Sequence, residues 1–205
     1  MSRIFPVVIG GVPGVGKSSI SGYVARELGI DLVMSGDYLR EFARGLPLDD
    51  SAGNLSRSVY DAWKDYGDLT NENVVKGFLE QSMLMSNAMV KVLERSIVNG
   101  EPMIIETLYF SPEMIPVALR SKVLLGYIYI SDESVHRQRL LERTSYTHAN
   151  SPGERLASHL KEYRIIMNHC RKESEDHDIR VFDNMDYLPT RKAVLNFVEE
   201  KVDRN

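Results

Sequence analysis

The segment Gly11-Val12-Pro13-Gly14-Val15-Gly16-Lys17-Ser18 matches the pattern G-x-x-x-x-G-K-[ST] at every fixed position. An apolar, β-rich run at residues 4–9 precedes it, and residues 17–28 follow with the apolar spacing of a helix. Glycines let a backbone turn tightly and aim successive N–H groups at an anion, and the helix that follows adds the positive end of its dipole. The segment therefore predicts a phosphate-binding loop (P-loop) between a strand and a helix.

A loop of this kind surrounds the terminal phosphates of a nucleotide. We expect Lys17 to reach the β- and γ-phosphates and the Ser18 hydroxyl to bind Mg²⁺. The predicted nucleotide-binding residues are Gly11, Val12, Pro13, Gly14, Val15, Gly16, Lys17, Ser18 and Ser19, together with Arg139 from a later segment. The chain has no Asn-Lys-x-Asp guanine signature, which disfavours a GTPase and favours ATP as the nucleotide.

The composition is that of an ordinary globular domain, with 43% hydrophobic and 26% charged residues among 205. The amino terminus lacks an apolar region followed by a small-residue cleavage site, and the longest apolar run, residues 123–130, is too short to cross a bilayer. The single cysteine, Cys170, cannot form an internal disulfide. These observations predict a cytoplasmic protein that does not enter a membrane.

The charge pattern limits the partners. A net charge of −4, with no basic stripe interleaved with aromatic residues, disfavours a nucleic-acid partner. Residues 136–172 nevertheless hold six Arg and two Lys against three Glu, which is either a solvated helix face or a patch that receives phosphate groups. The five histidines lack metal-ligand spacing with one another or with Cys170. The sequence does not decide between a monomer and a homo-oligomer.

Apolar runs alternate with helical patterns along the chain. We predict strands at five places, residues 4–9, 32–34, 103–105, 123–130 and 179–182. This alternation predicts an α/β fold, a P-loop NTPase three-layer sandwich with a five-stranded parallel sheet and helices on both faces. We expect a single kinase domain over residues 1–205, with an acceptor-side helical insertion at about 37–98 and a small lid at about 137–155.

Several helix limits follow from local signals. Thr70 is predicted to cap a long helix that closes at Asn99-Gly100. Two sets of apolar side chains are expected in the core, one on that helix and one on a single later amphipathic helix. The first set is Val75, Phe78, Met85, Met89 and Val92, and the second is Leu156, Leu160, Tyr163, Met167 and Cys170.

Charged side chains are predicted at the carboxyl ends of the strands. In a parallel sheet these ends share one edge, where ligands bind. Glu106 follows the third strand where a Walker-B carboxylate would lie, so we expect it to hold Mg²⁺ through water or to share the role of general base. Asp37 and Asp183 follow two other strands.

The stretch Ser35-Gly36-Asp37-Tyr38-Leu39-Arg40 resembles the Ser-Gly-Asp-x-Leu-Arg stretch of adenylate kinases. The arginine of that family touches the phosphate of the acceptor, so the resemblance implies Arg40 as an anchor for an anionic acceptor. In shikimate and gluconate kinases an aspartate in the corresponding place meets the acceptor hydroxyl, which implies Asp37 as the base that accepts or steers its proton. The alternative is that neither residue has a functional role. Asp37 would then only cap a helix, and Arg40 would be a surface residue.

Arg139-x-x-x-Arg143 resembles the arginine pair in the lids of nucleoside monophosphate kinases. Spaced by four, the two guanidinium groups share one helix face. The resemblance implies that Arg139 and Arg143 stabilise the charge of the transferring phosphoryl group. Arg164 and, further back, Arg155 follow on the returning helix and are candidates for binding the substrate. The catalytic candidates are therefore Lys17, Asp37, Glu106, Arg139 and Arg143, and the substrate-binding candidates are Asp37, Arg40, Arg143 and Arg164.

A wider pattern resembles the archaeal 2-phosphoglycerate kinase family, over nearly the whole chain and in the same order. It consists of Asp37-x-x-Arg40-Glu41, Ser58-Val59-Tyr60-Asp61-Ala62-Trp63, Gly77-Phe78-x-x-Gln81, Glu94-Arg95, Ile104-Ile105-Glu106 and His136-x-x-Arg139. Two departures stand out. Thr107 replaces the usual glycine after Glu106, and typical members carry an extra amino-terminal domain, whereas here the first strand begins almost at Met1.

This resemblance implies an ATP-dependent kinase that transfers the γ-phosphoryl group to a hydroxyl of a small, anionic, phosphorylated hydroxy acid. The family includes enzymes that act on 2-phosphoglycerate and enzymes that act on the 5-hydroxyl of mevalonate 3-phosphate, in a variant mevalonate pathway. Both acceptors carry a carboxylate, a phosphate and a primary hydroxyl. The short chain favours mevalonate 3-phosphate, with 2-phosphoglycerate as the alternative. The chain could alternatively be a protein of another functional class, an ATP-binding regulatory module without a small acceptor. In such a protein Asp37 and Arg40 would have no role.

Overall fold

The computed structural model describes residues 5–46, 55–143 and 153–202. Five parallel strands form one sheet in the order β2-β3-β1-β4-β5. Their bounds are β1 (Val7–Gly10), β2 (Leu32–Ser35), β3 (Met103–Thr107), β4 (Leu124–Tyr129) and β5 (Arg180–Asp183). The predicted five-stranded parallel α/β sheet is therefore confirmed, and each observed strand overlaps its predicted run.

Helices follow the strands and cover the sheet. Their bounds are α1 (Lys17–Leu28), α2 (Gly36–Arg44), α3 (Asn71–Asn99), α4 (Val117–Arg120), α5 (Glu133–Leu141), α6 (Gly153–Ser158), α7 (Leu160–Asp176) and α8 (Tyr187–Val202), with short 3-10 helices at Val59–Asp65 and Pro112–Met114. Because crossovers between parallel strands are right-handed, the reversal of direction at β2 puts α1 on one face and α3 and α7 on the other, and α8 packs on the face of α1. The packing of α1 on α8 and of α3 on α7 agrees with this arrangement.

The predicted caps are present. The Thr70 side chain accepts a hydrogen bond from the backbone N–H of Asn73, and Gly100 ends α3 in the left-handed conformation with φ of 67°. These caps satisfy backbone groups that the ends of a helix leave without partners. The limits of this 29-residue helix could therefore be predicted from local sequence.

The apolar face of α3 differs slightly from the predicted one. Phe78, Met85 and Met89 are buried as expected, but Val74 and Leu93 are buried in place of Val75 and Val92, which are half-buried. Both expected positions lie one residue from the observed ones. The spacing of apolar residues predicts the buried face of a helix only to within one residue. The packing of α3 on the rest of the domain selects which residues are buried.

The predicted single helix through Leu156 and Cys170 is divided. α6 ends at Ser158, and α7 begins at Leu160 after a break at His159. The five apolar side chains are nevertheless buried as predicted. The His159 ring stacks on Tyr60, with ring centroids 3.9 Å apart, so a tertiary contact accompanies the break.

The segment between β2 and β3 contains α2, the 3-10 helix Val59–Asp65 and α3. This is the region of the expected acceptor-side insertion. Of the expected lid at about 137–155, residues 144–152 lie outside the described residues. Among the helices that are described, none is both long and apolar enough to cross a membrane.

Candidate active site

The phosphate-binding loop joins the end of β1 to the start of α1. Gly14 and Gly16 have φ angles of 84° and 90°, a left-handed conformation that favours glycine. Both also pack closely. A Cβ on Gly14 would lie 2.8 Å from a methyl carbon of Leu140, and one on Gly16 would lie 2.6 Å from the side-chain nitrogen of Asn184. Gly16, a fixed glycine of the motif, and Gly14, at one of its variable positions, are therefore both required by the turn and by the side chains around it.

Two side chains from later segments hold this loop in place. Nε2 of His136 lies 2.8 Å from the carbonyl oxygen of Pro13, and Nδ2 of Asn184 donates to the carbonyl oxygen of Val15 at 2.8 Å. Burial lowers the pKa of His136 below its ordinary value, so the neutral ring donates its Nε2 proton to Pro13. Both side chains are fully buried. Asn184 was not predicted, and the available signal was its position directly after β5.

Lys17 and Glu106 form a buried ion pair at the floor of the site. Lys17 Nζ lies 3.5 Å from Glu106 Oε2, and the side chains keep only 9% and 7% of their surface exposed. That carboxylate oxygen has no hydrogen-bond partner within the described ranges. The sheet register pairs Glu106 with Ser35, so the carboxylate lies beside the end of β2, as the sequence predicted.

A first cavity opens above the loop. It is lined by Pro13, Gly14, Gly16, Lys17, Ser18, Ser19, Arg139, Glu142, Arg143, Asn184 and Tyr187. The other predicted loop residues, Gly11, Val12 and Val15, are buried and do not line this cavity. Tyr187, which the sequence analysis did not identify, donates its hydroxyl to the carbonyl of Ser19. The arrangement offers backbone amides, an ammonium and two guanidinium groups to an anion.

Arg139 is fixed at the side of this cavity. Its guanidinium donates to the carbonyl oxygens of Asn184 and Met185, at 2.6 and 3.0 Å. These carbonyls belong to the turn between β5 and α8. The last turn of α5 is thereby tied to the opposite wall of the cavity.

A second cavity lies on the side of α2. It is lined by Pro13, Ser18, Ser35, Asp37, Tyr38, Arg40, Glu41, Ser58, Val59, Tyr60, Glu106, Leu108, Tyr109, Arg143, Arg155, Leu156 and Tyr163. Pro13, Ser18 and Arg143 also line the first cavity, so the two cavities adjoin. Ser18, the predicted magnesium ligand, and Arg143, a predicted catalytic residue, therefore lie at the boundary between the two cavities.

Asp37 lies in the first turn of α2. The cap of this helix is Ser35, whose hydroxyl accepts a hydrogen bond from the N–H of Asp37. The cap role that was considered for Asp37 therefore belongs to Ser35. The carboxylate of Asp37 lines the second cavity together with that of Glu106.

Arg40 and Arg164 are engaged with the protein itself. The Arg40 guanidinium donates to the carbonyl oxygens of Leu55 and Arg57 and pairs with Glu41 at 2.9 Å. Arg164 donates to the carbonyls of Ile130 and Ser131 and is not among the residues that line either cavity. Arg155, in contrast, is exposed and lines the second cavity. The structure thus brings Asp37, Arg40, Arg143 and Arg155 together but leaves Arg164 outside.

Comparisons with known proteins agree with this geometry. The family model described as AAA domain matches residues 10–154. Shikimate kinase from Acinetobacter baumannii superposes with a TM-score of 0.53 at 12% identity, over 100% of this chain and 96% of that one. A gluconokinase from Sinorhizobium meliloti superposes with a TM-score of 0.50 at 14% identity, over 100% and 94% of the two chains. At such identities these likenesses establish the fold alone.

Sequence relatives extend the comparison. The chain is 47% identical over 203 residues to mevalonate-3-phosphate 5-kinase of Thermoplasma acidophilum, covering 99% of this chain and 98% of the relative. It is 30% identical to 2-phosphoglycerate kinase of Methanopyrus kandleri over 96% of this chain, but it spans only 61% of that relative. A phosphate-binding loop, an adjoining arginine-rich cavity and this identity lead to one conclusion: the chain belongs to the family of ATP-dependent, P-loop small-molecule kinases that contains mevalonate-3-phosphate 5-kinase and the 2-phosphoglycerate kinases.

Proposed function

We propose that the protein is a mevalonate-3-phosphate 5-kinase of a mevalonate pathway that leads to isoprenoids. It transfers the γ-phosphoryl group of ATP to the 5-hydroxyl of mevalonate 3-phosphate, which yields ADP and mevalonate 3,5-bisphosphate. The observation that carries the proposal is the 47% identity to a kinase of that name over 98% of its length. The identity to a 2-phosphoglycerate kinase is lower, at 30% over 61% of its length. Both substrates are charged and water-soluble, which is consistent with a cytoplasmic reaction.

The second cavity supports this acceptor because it combines charge with apolar surface. Arg143 and Arg155 can neutralise a phosphate, whereas Val59, Leu108 and Leu156 present aliphatic side chains to the same cavity. Mevalonate 3-phosphate has a methyl and two methylene groups to bury there, each worth about 0.8 kcal/mol. The three-carbon chain of 2-phosphoglycerate has no methyl group, so it gains less from this wall.

The first cavity is the proposed site of ATP. Backbone amides of residues 14–19 and the Lys17 ammonium surround the terminal phosphates, and Arg139 closes the side of the cavity. Asn184 and His136 keep the loop open for the phosphates through their hydrogen bonds to Val15 and Pro13. These contacts prepare the loop before the nucleotide binds.

Mg²⁺ fits the side chains at the boundary of the two cavities. Within the described ranges, no cluster of three or more His, Cys, Asp or Glu side chains could hold a metal by itself. Kinases, however, bind Mg²⁺ through one or two protein ligands together with waters and substrate phosphates. The Ser18 hydroxyl and the Glu106 carboxylate, whose Oε2 is ion-paired with Lys17 but accepts no hydrogen bond, are suitable ligands. When bound, the ion offsets the negative charge of the nucleotide phosphates.

The remaining groups act on the acceptor. We assign Asp37 as the base that orients the 5-hydroxyl and takes its proton while the new oxygen–phosphorus bond forms and the bond to the ADP oxygen breaks. Arg143 lines both cavities and is therefore suited to stabilise charge on the group in transfer. The Arg40 side chain holds the segment that begins with Leu55, and this segment carries the acceptor-site residues Ser58 and Tyr60.

The test is a steady-state assay with ATP and Mg²⁺ and each of the two acceptors. We expect kcat/KM for mevalonate 3-phosphate to exceed that for 2-phosphoglycerate by about 100-fold or more, since hydrophobic discrimination by a few carbon atoms reaches this size. Phosphorus NMR should show a new phosphomonoester on the primary carbon. A preference for 2-phosphoglycerate would reverse the choice of acceptor. Hydrolysis of ATP that neither acceptor accelerates would instead favour the regulatory module.

A further inference from the structure

Three tyrosines from separate segments converge on the acceptor cavity. Tyr60 belongs to the 3-10 helix Val59–Asp65, Tyr109 follows β3, and Tyr163 lies on α7. Their side chains are almost entirely buried, with 7%, 3% and 2% of the residue surface exposed. Side chains this deeply buried have fixed positions, so the places of their hydroxyl groups are determined by the fold.

Among the described residues, no group is hydrogen-bonded to the three hydroxyl groups. Within the described ranges none of them donates a hydrogen bond to another residue, although the oxygens are not enclosed completely. Tyr187, on the donor side, uses its hydroxyl on the carbonyl of Ser19 instead. Because these oxygens are accessible and the three residues line the cavity, each hydroxyl can donate a hydrogen bond to a ligand bound there.

The tyrosines are held rigidly by their surroundings. Tyr60 stacks on His159, and its ring meets that of Tyr163 edge-on with centroids 5.8 Å apart. Tyr109 is fixed from its backbone, because its N–H donates to the Thr107 hydroxyl at 3.0 Å. The position of Tyr109 therefore depends on the Thr107 side chain at the end of β3.

The electrostatic setting keeps the tyrosines in their protonated, hydrogen-bond-donating form. Burial raises the pKa of Tyr109 and of Tyr163 well above the ordinary tyrosine value, so both remain protonated donors at every pH used in enzyme assays. Arg40 lowers the pKa of the Tyr109 phenol and Arg143 lowers that of the Tyr163 phenol, whereas the Asp37 carboxylate raises both. A carboxylate that enters between the two tyrosines would meet neutral donors, in a field where the charges of Arg40 and Arg143 oppose that of Asp37.

We propose that Tyr60, Tyr109 and Tyr163 form the subsite that binds the carboxylate of the acceptor. A carboxylate only accepts hydrogen bonds, through two oxygens, and its single charge does not demand a guanidinium. Arg143 and Arg155 line the same cavity and can bind the phosphate, which carries about two charges. This inference rests on the proposed kinase activity, and it applies to mevalonate 3-phosphate and to 2-phosphoglycerate alike because both carry a carboxylate.

The first test removes the hydroxyl groups one at a time. In Tyr109→Phe and Tyr163→Phe we expect the KM for the acceptor to rise about tenfold, since a hydrogen bond to a charged group is worth that much or more. The KM for ATP and the melting temperature should stay unchanged, because within the described ranges the hydroxyls make no hydrogen bond to the phosphate-binding loop or to another side chain. Tyr23→Phe is the matched control. Tyr23 lies on α1 against Arg191, outside both cavities. The KM of the Tyr23→Phe variant for the acceptor should therefore equal that of the wild type.

A second measurement identifies the group that is bound. With an acceptor analogue carrying a methyl group in place of the carboxylate, the Tyr→Phe variants and the wild type should have the same KM. An equal rise for acceptor and analogue, or no rise for either, would overturn the carboxylate subsite. Failure of the wild type to phosphorylate either natural acceptor would overturn the kinase proposal itself. The two failures are therefore distinguishable.

Discussion

At the residue scale, the Lys17–Glu106 pair joins function to stability. Both side chains are nearly buried, so removal of one charge leaves the other without compensation in a place that water hardly reaches. We predict that Lys17→Ala abolishes turnover and also lowers the free energy of unfolding by about 1–3 kcal/mol. Urea denaturation with and without the substitution measures this loss.

The double variant Lys17→Ala/Glu106→Gln is the control for this prediction. It removes the orphaned charge, so it should recover part of the lost stability while remaining inactive. If the single variant proved as stable as the wild type, the buried pair would not exist in solution.

Asp37 provides the second prediction at this scale. Its carboxylate lines the acceptor cavity, whereas the loop that surrounds the nucleotide is built from other residues. We expect Asp37→Asn to lower kcat by roughly 100-fold or more, the usual contribution of a general base, with little change in the KM for ATP. Steady-state kinetics at saturating ATP measure both quantities. Full activity of Asp37→Asn would transfer the role of base to Glu106, and Glu106→Gln should then show the larger loss of kcat.

At the element scale, the 3-10 helix Val59–Asp65 is fitted closely against α3. A Cβ on Gly77 of α3 would lie 2.6 Å from the backbone carbon of Ala62, far closer than side chains approach. We predict that Gly77→Ala destabilises the protein by about 1–3 kcal/mol, although alanine is the better helix former. It should also raise the KM for the acceptor, because the displaced helix carries Val59 and Tyr60.

Gly22→Ala is the matched control on α1. There the nearest atom to an added Cβ is a side-chain nitrogen of Arg26 at 3.6 Å, an ordinary contact. The substitution should leave the KM for the acceptor unchanged and stabilise the protein by about 0.5–1 kcal/mol. Thermal unfolding and acceptor kinetics of the two variants side by side test the argument. Similar behaviour of both would contradict it.

At the scale of the whole molecule, buried acidic groups make folding sensitive to alkaline pH. Burial raises the pKa of the Cys170 thiol far above its ordinary value of 9.0, and the pKa of Tyr163 well above 10.0. In the unfolded chain these groups lose their protons near the ordinary values, whereas in the folded protein they keep them. Since the folded state then binds more protons than the unfolded state, stability is complete below pH 9 and falls as pH rises.

We therefore predict a loss of unfolding free energy between pH 8 and pH 10.5, to which Cys170 alone contributes about 2 kcal/mol. Urea denaturation at the two pH values measures the loss. Cys170→Ala removes one titrating group. The variant should therefore lose less unfolding free energy over the same pH interval, by about 2 kcal/mol. An identical loss in the variant would show that the thiol is not protected in the folded state.

Local sequence patterns were sufficient to predict the strands and the limits of two helices. The limits of α1, the caps of α3 and the five strands could be predicted because glycines, capping side chains and apolar periodicity act within a few residues of the chain. The carboxylates Asp37 and Glu106 could be predicted too, since parallel strands deliver their carboxyl ends to one edge. The exact core positions of α3 and the break at His159 could not, because packing between distant elements selects them.

The amino-acid sequence by itself determined the phosphate-binding loop, the parallel sheet and the kinase family, since each depends on short patterns with a direct physical meaning. Only the tertiary structure decided which side chains complete the site. Asn184 reaches a loop carbonyl 169 residues away in the chain, Arg40 binds the carbonyls of Leu55 and Arg57, and three distant tyrosines share one cavity. Contacts between remote segments leave no periodic trace in a sequence, because they arise from how the elements pack and not from how neighbouring residues are spaced.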